Sequence, residues 1–418
     1  MSEDWTEKPI GSYMRLLSGF PFPSSGFTTS EGFPLIRIRD IINSSIETYF
    51  LGKFEPQYIV QKGDVLVGMD GDFNIRKWKN SAALLNQRIL KVGTLDPSEL
   101  DEGFLFYWLQ PFLQHVNVIT AATTVKHLSV KDLRSAKTKL PSAPIQTKIG
   151  NILQTIDEAI EQTEALIEKY SLVKAGMMHD LFARGLTPDG KLRPPREEAP
   201  DLYKETPIGW IPKEWDWGDL ENYCSRICVG IVIRPADYYV TEGVPTFRSA
   251  NVRESGITDS DLVYISAKSN AMLHKSQVRK GDILTVRTGY PGISAVVPEK
   301  YDGCNCVDIL ISTPTGSISS EFLCYWINSS FGKGQVLSGQ GGLAQQHFNV
   351  GEMRELIVVK PCEDEQSEIT KRFDAVEAKI ETQQELLKKY KLQKFGLMND
   401  LLTGVVPVNV DEPEAGNV

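Results

Sequence analysis

The chain has 418 residues, room for two or three domains at about 150 residues each, and its 41% apolar and 24% charged side chains exclude wholesale disorder and collagen-like order. A formal net charge of −9 excludes a uniformly basic nucleic-acid surface while leaving room for a local basic groove. Five histidines argue against a His-rich metal enzyme. The six cysteines, at 224, 228, 304, 306, 324 and 362, form no C-x-x-C pair and read as reduced, mostly buried thiols.

Residues 1–9 are polar, with Glu3, Asp4 and Glu7, and hold no secretory signal, which points to the cytoplasm. Lys62-Gly63-Asp64 followed by Val65, Leu66 and Val67 predicts a turn into a short buried strand. Ser98 before Glu99-Leu100 predicts a capped helix. Residues 103–125 carry no charge, but Gln110, Pro111, Gln114, His115 and Asn117 interrupt them. That pattern predicts a buried helix breaking at the proline, and no membrane span.

From residue 149 an apolar seam recurs at 4-3-4-3-4-3 spacing: Ile149, Leu153, Ile156, Ile160, Thr163, Ile167 and Tyr170. A second copy reads Ile369, Phe373, Val376, Ile380, Gln383, Leu387 and Tyr390. Three heptads of this kind are a coiled-coil signature, with Thr163 and Gln383 as a matched polar layer. Mutual packing of the two helices explains both copies better than burial of each against its own domain. An antiparallel pair would set the domains at opposite ends, along helices of about 35 residues and roughly 50 Å. Between the copies, residues 186–214 contain six prolines among charges of both signs and read as a semi-rigid connector without periodic structure. The tail beyond Gly404 reads as short, acidic and disordered.

The chain is in fact written twice. Lys62-Gly63-Asp64-Val65-Leu66 returns as Lys280-Gly281-Asp282-Ile283-Leu284, and Phe104, Tyr107 and Trp108 return as Phe322, Tyr325 and Trp326. Farther on, His127, Val130, Arg134, Pro141, Gln146 and Ile149 return as His347, Val350, Arg354, Pro361, Gln366 and Ile369. Lys169-Tyr170, Lys174, Met178 and Asp180-Leu181 return as Lys389-Tyr390, Lys394, Met398 and Asp400-Leu401. The expected organisation is a variable domain (1–145), helix (146–186), connector (187–214), second variable domain (215–362), helix (363–404) and acidic tail (405–418). The fold class is mixed α+β, with two similar α/β domains separated by two long helices in an antiparallel coiled coil.

The acid excess lies mainly outside the variable domains, and local basic runs stand within them. Between Phe73 and Leu95 stand Arg76, Lys77, Lys79, Arg88 and Lys91 with no acid, interleaved with Asn74, Trp78, Asn80 and Gln87. Phosphate donors and base-edge donors thus alternate. The second domain repeats this more thinly through Lys268, Lys275, Arg279, Lys280 and Arg287, with Arg248, Asn251 and Arg253 upstream. Adding the matched histidines and their neighbours, the candidate DNA-contacting set is Asn74, Arg76, Lys77, Lys79, Gln87, Arg88, Lys126, His127, Arg248, Asn251, Arg253, Arg287, Tyr290, Gln345, Gln346 and His347. The sequence contains no G-x-G-x-x-G, Walker, G-x-S-x-G or H-E-x-x-H motif, nor the Asn/Asp-Pro-Pro-aromatic motif of amino-methyltransferases. Neither a catalytic residue nor a metal ligand is expected.

The two-fold repeat, the helix running from Glu164-Ala165-Leu166-Ile167-Glu168-Lys169-Tyr170 to Met178-His179-Asp180-Leu181-Phe182, Pro207-Ile208-Gly209-Trp210-Ile211-Pro212-Lys213-Glu214-Trp215 and Gln345-Gln346-His347-Phe348 together resemble the specificity subunit of type I restriction-modification systems over nearly the whole chain. The resemblance implies two target-recognition domains, each reading half of a split double-stranded DNA sequence. It also implies helices that act as a spacer and dock two methyltransferase (modification) subunits, in a complex completed by restriction subunits. No cofactor is expected on this chain; S-adenosylmethionine, ATP and Mg2+ belong to the partner subunits, and no membrane is involved. Thr163-Glu164-Ala165-Leu166 resembles the short spacer repeat of some members but occurs once. Two rival readings are a two-domain DNA-binding regulator acting without modification subunits and a coiled-coil assembly protein.

Overall fold

A computed structural model describes residues 5–43, 45–120, 126–338 and 348–409. The chain divides into two compact units, residues 1–164 with 385–418, and residues 165–384. Each unit therefore takes a globular domain, the start of the long helix that follows it and the end of the other long helix.

Unit 1 is built on two sheets. Met14–Ser18, Ile89–Thr94, Val65–Gly68 and Ile75–Lys77 form an antiparallel four-stranded sheet in that order. Gly63, at φ +100°, makes the expected turn before Val65. The five-stranded sheet runs Phe27–Thr28, Tyr49–Phe50, Phe33–Ile36, Ala83–Leu85, Ile59–Val60, with one parallel pair, Leu35 opposite Leu84. Unit 2 repeats the plan. Cys224–Val229, Ile309–Pro314, Ile283–Val286 and Ser294–Val296 make the antiparallel sheet. Its second sheet again has one parallel pair, Thr246 opposite Asn305. A two-stranded ribbon joins Thr6–Lys8 to Thr138–Leu140 in unit 1 and Asp216–Asp219 to Ile357–Lys360 in unit 2.

The uncharged segment is a helix, Glu102–Ile119, and it runs through Pro111 instead of breaking there. Phe104, Tyr107, Trp108, Leu109 and Leu113 are buried around the proline, and that packing outweighs one missing hydrogen bond. Its N-cap is Asp101, whose carboxylate accepts from Phe104 N at 2.9 Å, and not Ser98, which bonds Asp96. In unit 2 Ser319 caps the matching helix, Ser320–Asn328. A second helix, Ser330–Ser338, follows it, so the break falls where there is no proline. Ser329 makes that break: its hydroxyl donates to Trp326 O at 2.6 Å and accepts from Gly332 N at 3.3 Å. A side chain at Gly332 would meet Ile327 O at 2.5 Å, so only glycine permits this tight joint.

The long helices span Ala143–Arg184 and Glu363–Leu402, 42 and 40 residues. At 1.5 Å per residue each is roughly 60 Å, longer than the heptads alone predict. Within each unit their segments run antiparallel. In unit 1 Lys394 pairs with Asp157 at 2.7 Å and Lys391 with Glu164 at 2.8 Å. In unit 2 Lys174 pairs with Glu377, and Lys379 lies 5.8 Å from the Tyr170 ring.

The seam has two kinds of partner. Ile149 and Leu153 belong to the core of their own domain, as Ile369 and Phe373 do, so the first turns follow the burial reading set aside above. Ile160 is buried, while Ile156, Ile167, Tyr170, Val376, Leu387 and Tyr390 are half-buried. Thr163 is buried and donates its hydroxyl to Ala159 O at 2.7 Å, within its own helix.

Matched side chains fix each helix to its domain. Gln146 is buried, accepts from Asp101 N and donates to Pro141 O and Glu99 O. Gln366 accepts from Ser319 N and donates to Pro361 O. Tyr107 donates to Asp157 at 2.9 Å and Tyr325 to Asp374 at 2.8 Å. Burial first, and the adjoining carboxylate second, push both phenols well above their ordinary pKa, so they stay protonated donors.

The helix ends complete the cores: Leu401 and Leu402 in unit 1, Met178, Leu181 and Phe182 in unit 2. Phe182 is fully buried, with Phe322, Trp326 and Phe373 ring centroids at 5.1–5.5 Å.

The connector is more structured than its composition suggests. Tyr203–Thr206 and Gly209–Pro212 pair as a hairpin. Arg193 is buried, donating to Glu365 at 2.6 Å and to Glu214 at 2.9 Å, while Trp215 Nε1 donates to Glu365 at 2.9 Å. Long-range pairing of this kind leaves no trace in local periodicity. The tail begins ordered too: Val408 packs on the unit 1 core and Asn409 O accepts from Lys148. Residues 410–418 lie outside the described region.

Candidate nucleic-acid interface

In unit 1 the acid-free segment does not form one patch. Arg76 lies exposed on the edge strand, its guanidinium turned to Ile75 O at 3.0 Å. Lys77 instead lies 5.0 Å from the Phe106 ring. Lys79 pairs with Glu161 of the long helix at 2.7 Å, and Lys91 with Asp64 at 2.6 Å. Trp78 is buried and donates to Ser81 O, which removes it as a base-stacking group. Asn74 is half-buried, and its carbonyl accepts from Gly68 N.

A tighter grouping stands at the start of the central strand Ile89–Thr94. Gln87 and Arg88 are exposed there. Arg88 Nη1 lies 3.3 Å from His127 Nδ1 and 3.6 Å from Asp70 Oδ1, and His127 Nδ1 lies 2.7 Å from the same carboxylate. Lys126 is adjacent in sequence but donates to the Asn117 carbonyl at 2.6 Å. His127 precedes a helix, Val130–Arg134, capped by Ser129. Asp70 is missed by a search for basic runs, because such a search counts carboxylates only against a site.

In unit 2 a groove of about 570 Å³ is lined by Arg248, Arg253, Thr258, Ser260, Asp261 and Asp308 among others. Arg253 is exposed. Arg248 donates to Asp261 O at 2.6 Å, and its Nε is buried with no partner among the described residues. Arg287 donates to Asp308 at 3.0 Å. Tyr290 is 78% exposed, in a loop with Gly289 and Gly292 at φ near +90°.

Asn251 departs from expectation. It is 1% exposed; its side-chain oxygen accepts from Arg248 N, and its amide donates to Thr258 O and Ser260 O. With both amide hydrogens engaged and the side chain buried, it shapes the loop bearing Arg248 and has no donor left for a base. Gln345, Gln346 and His347 lie outside the described residues. Among the described residues no cluster of three or more His, Cys, Asp or Glu could hold a metal, and no helix is long and apolar enough to cross a membrane.

Comparison with known proteins bears on this arrangement. Residues 2–169 match the model of the type I restriction modification DNA specificity domain. The chain is 28% identical over 387 residues to the type I restriction enzyme EcoBI specificity subunit of Escherichia coli, covering 89% of this chain and 79% of that one. It is 21% identical over 415 residues to the MjaVIII specificity subunit of Methanocaldococcus jannaschii, covering 97% and 94%. Among solved structures, the S subunit of a type I system from M. genitalium superposes with a TM-score of 0.60 at 17% identity, over 95% of this chain and 96% of that one. At that identity the superposition speaks for the fold. With two units of one repeated plan and paired long helices, the chain is similar over nearly its whole length to specificity subunits of type I restriction-modification systems.

Proposed function

We propose that this chain is the DNA-reading, non-catalytic subunit of a type I restriction-modification complex. Each unit reads one half of a bipartite duplex site, and the long helices set the gap between halves and dock modification subunits. S-adenosylmethionine, ATP and Mg2+ act on the partners: two modification subunits for methylation, restriction subunits for translocation and cleavage. The observation that carries this reading is the repetition of one recognition plan, each copy joined to its helix by the same residues, Gln146 and Gln366, Tyr107 and Tyr325. Among the candidate contacts, Gln87, Arg88 and His127 in unit 1 and Arg248, Arg253 and Tyr290 in unit 2 combine exposure or groove lining with donor chemistry. Arg76, exposed on its edge strand, is the member of the acid-free run best placed to supply phosphate contact, the component of affinity that falls with salt.

The test is methylation mapping of genomic DNA with and without the chain. Loss of one bipartite methylation pattern is expected on its removal. Exchanging residues 1–145 for a relative's domain should replace one half-site and leave the other, provided the new domain accepts Leu401 and Leu402. A swap altering both half-sites would sink the one-unit, one-half-site reading.

The ruler reading has its own test. A second copy of Thr163-Glu164-Ala165-Leu166 lengthens the helix by about 6 Å, close to a tolerated stutter. At ~3.4 Å per base pair a fully axial displacement is worth about one to two base pairs; an oblique crossing of the duplex favours the smaller value, so the gap should grow by about one base pair, with both half-sites unchanged. An unchanged gap with methylation retained would refute it.

A further inference from the structure

Both units hold a non-glycine residue in the left-handed backbone region immediately before the central strand: Arg88 at φ +68° and Asp308 at φ +53°. The two places correspond by their backbone bonds. Gly19 N donates to Ile89 O, as Gly230 N donates to Ile309 O; Leu128 N donates to Met69 O, as Phe348 N donates to Arg287 O. The left-handed region disfavours a residue with a side chain, arginine more than aspartate. Such strain persists where the side chain itself is needed.

What differs is polarity. In unit 1 the turn presents an arginine, its side chain 56% exposed, backed by Asp70 and His127. In unit 2 the turn presents a carboxylate, 40% exposed, backed by Arg287 at 3.0 Å and Thr288 at 3.4 Å. Ions of opposite sign thus occupy one position of the repeated plan, each held by counter-groups on the neighbouring strand end or turn. The held side chain loses less rotamer freedom on binding than a free one.

We propose that these two residues are specificity determinants: Arg88 reads a guanine in one half-site, and Asp308 reads an amino-bearing base, cytosine or adenine, in the other. An arginine fork matches guanine O6 and N7, whereas a carboxylate accepts only from an amino group. Asp70 and Arg287 are positioning residues. A carboxylate in a groove with Arg248 and Arg253 is repelled by phosphate, which leaves a base edge as its favourable partner. The assignment rests on the DNA-reading function proposed above.

The experiment is selection of bound sequences from a randomised duplex library by the full chain assembled with its modification subunit. Arg88→Lys keeps the charge and loses the fork. It should relax preference at one base pair of one half-site by roughly 5- to 100-fold and leave the other half-site intact. Asp308→Ala should do the same at one base pair of the other half-site. The exchange D70R/R88D, which installs the unit 2 polarity in unit 1, should shift that position from guanine towards an amino-bearing base.

If Arg88→Lys leaves every preference as it was, or if Arg88→Ala weakens all duplexes alike, Arg88 contacts phosphate or nothing, and the assignment fails. Relaxation of both half-sites by one variant would also overturn it. If the unmodified assembly selects no sequence at all, the DNA-reading function itself has failed, which is a different result.

Discussion

Units 1 and 2 share topology, yet the joint at their long helices is made differently. In unit 2 the helix start carries Glu365, buried against Arg193, Trp215 and the Leu186 amide. At the matching place in unit 1 stands Ile145, packed against an apolar core. The same architecture thus accepts a buried ionic lock or a hydrophobic contact, provided every donor and acceptor of the lock is met. The lock ties the connector into unit 2, where Arg193 would otherwise be an exposed linker residue.

The Arg193→Ala variant strands Glu365 as a buried charge. A loss of about 3–5 kcal/mol is expected, read as faster amide hydrogen exchange confined to residues 165–384. Exchange rising equally in residues 5–120 would show the lock to be global.

Next comes truncation of the two helix ends. Phe182→Ala should cost unit 2 about 3–5 kcal/mol and Leu402→Ala should cost unit 1 about 2–5 kcal/mol, because the aromatic cluster loses more contacts than the single leucine. Equal exchange changes in both units would remove that distinction.

The smallest effect concerns the two ways of crossing one helix position. Pro111 is exposed inside a continuous helix, so Pro111→Ala should stabilise unit 1 by up to about 3 kcal/mol. Ser329→Ala in unit 2 removes a buried hydroxyl and should destabilise by about 1–2 kcal/mol. Thermal melts of the two variants should shift in opposite directions. Shifts of the same sign would mean that the two crossings are not held by the local groups named here.

Local pattern alone carried much of this protein. The heptad seam, the matched Gln146 and Gln366, and the repeated turn before Val65 and Ile283 are legible because helix period, capping and turn chemistry act over a few residues. The same locality explains the misreadings. Pro111 signals a break by propensity, but Phe104, Tyr107 and Leu113 hold the helix through it. Ser98 resembles a cap, but Asp101 is the carboxylate that reaches Phe104 N. The connector reads as loose because Arg193 meets Glu365 across a sequence separation of 172 residues, closed only when the chain folds back.

The candidate interface divides in the same way. Composition located basic residues in both variable domains, yet which of them stand free was decided by tertiary structure. Glu161 occupies Lys79, Phe106 covers Lys77, and Asn251 turns inward. Asp70 and Asp308 could not be found by counting charge. Their role depends on backbone geometry and on a neighbour 18 or 21 residues away in sequence, distances at which charge patterning says nothing and only the sheet brings the groups together.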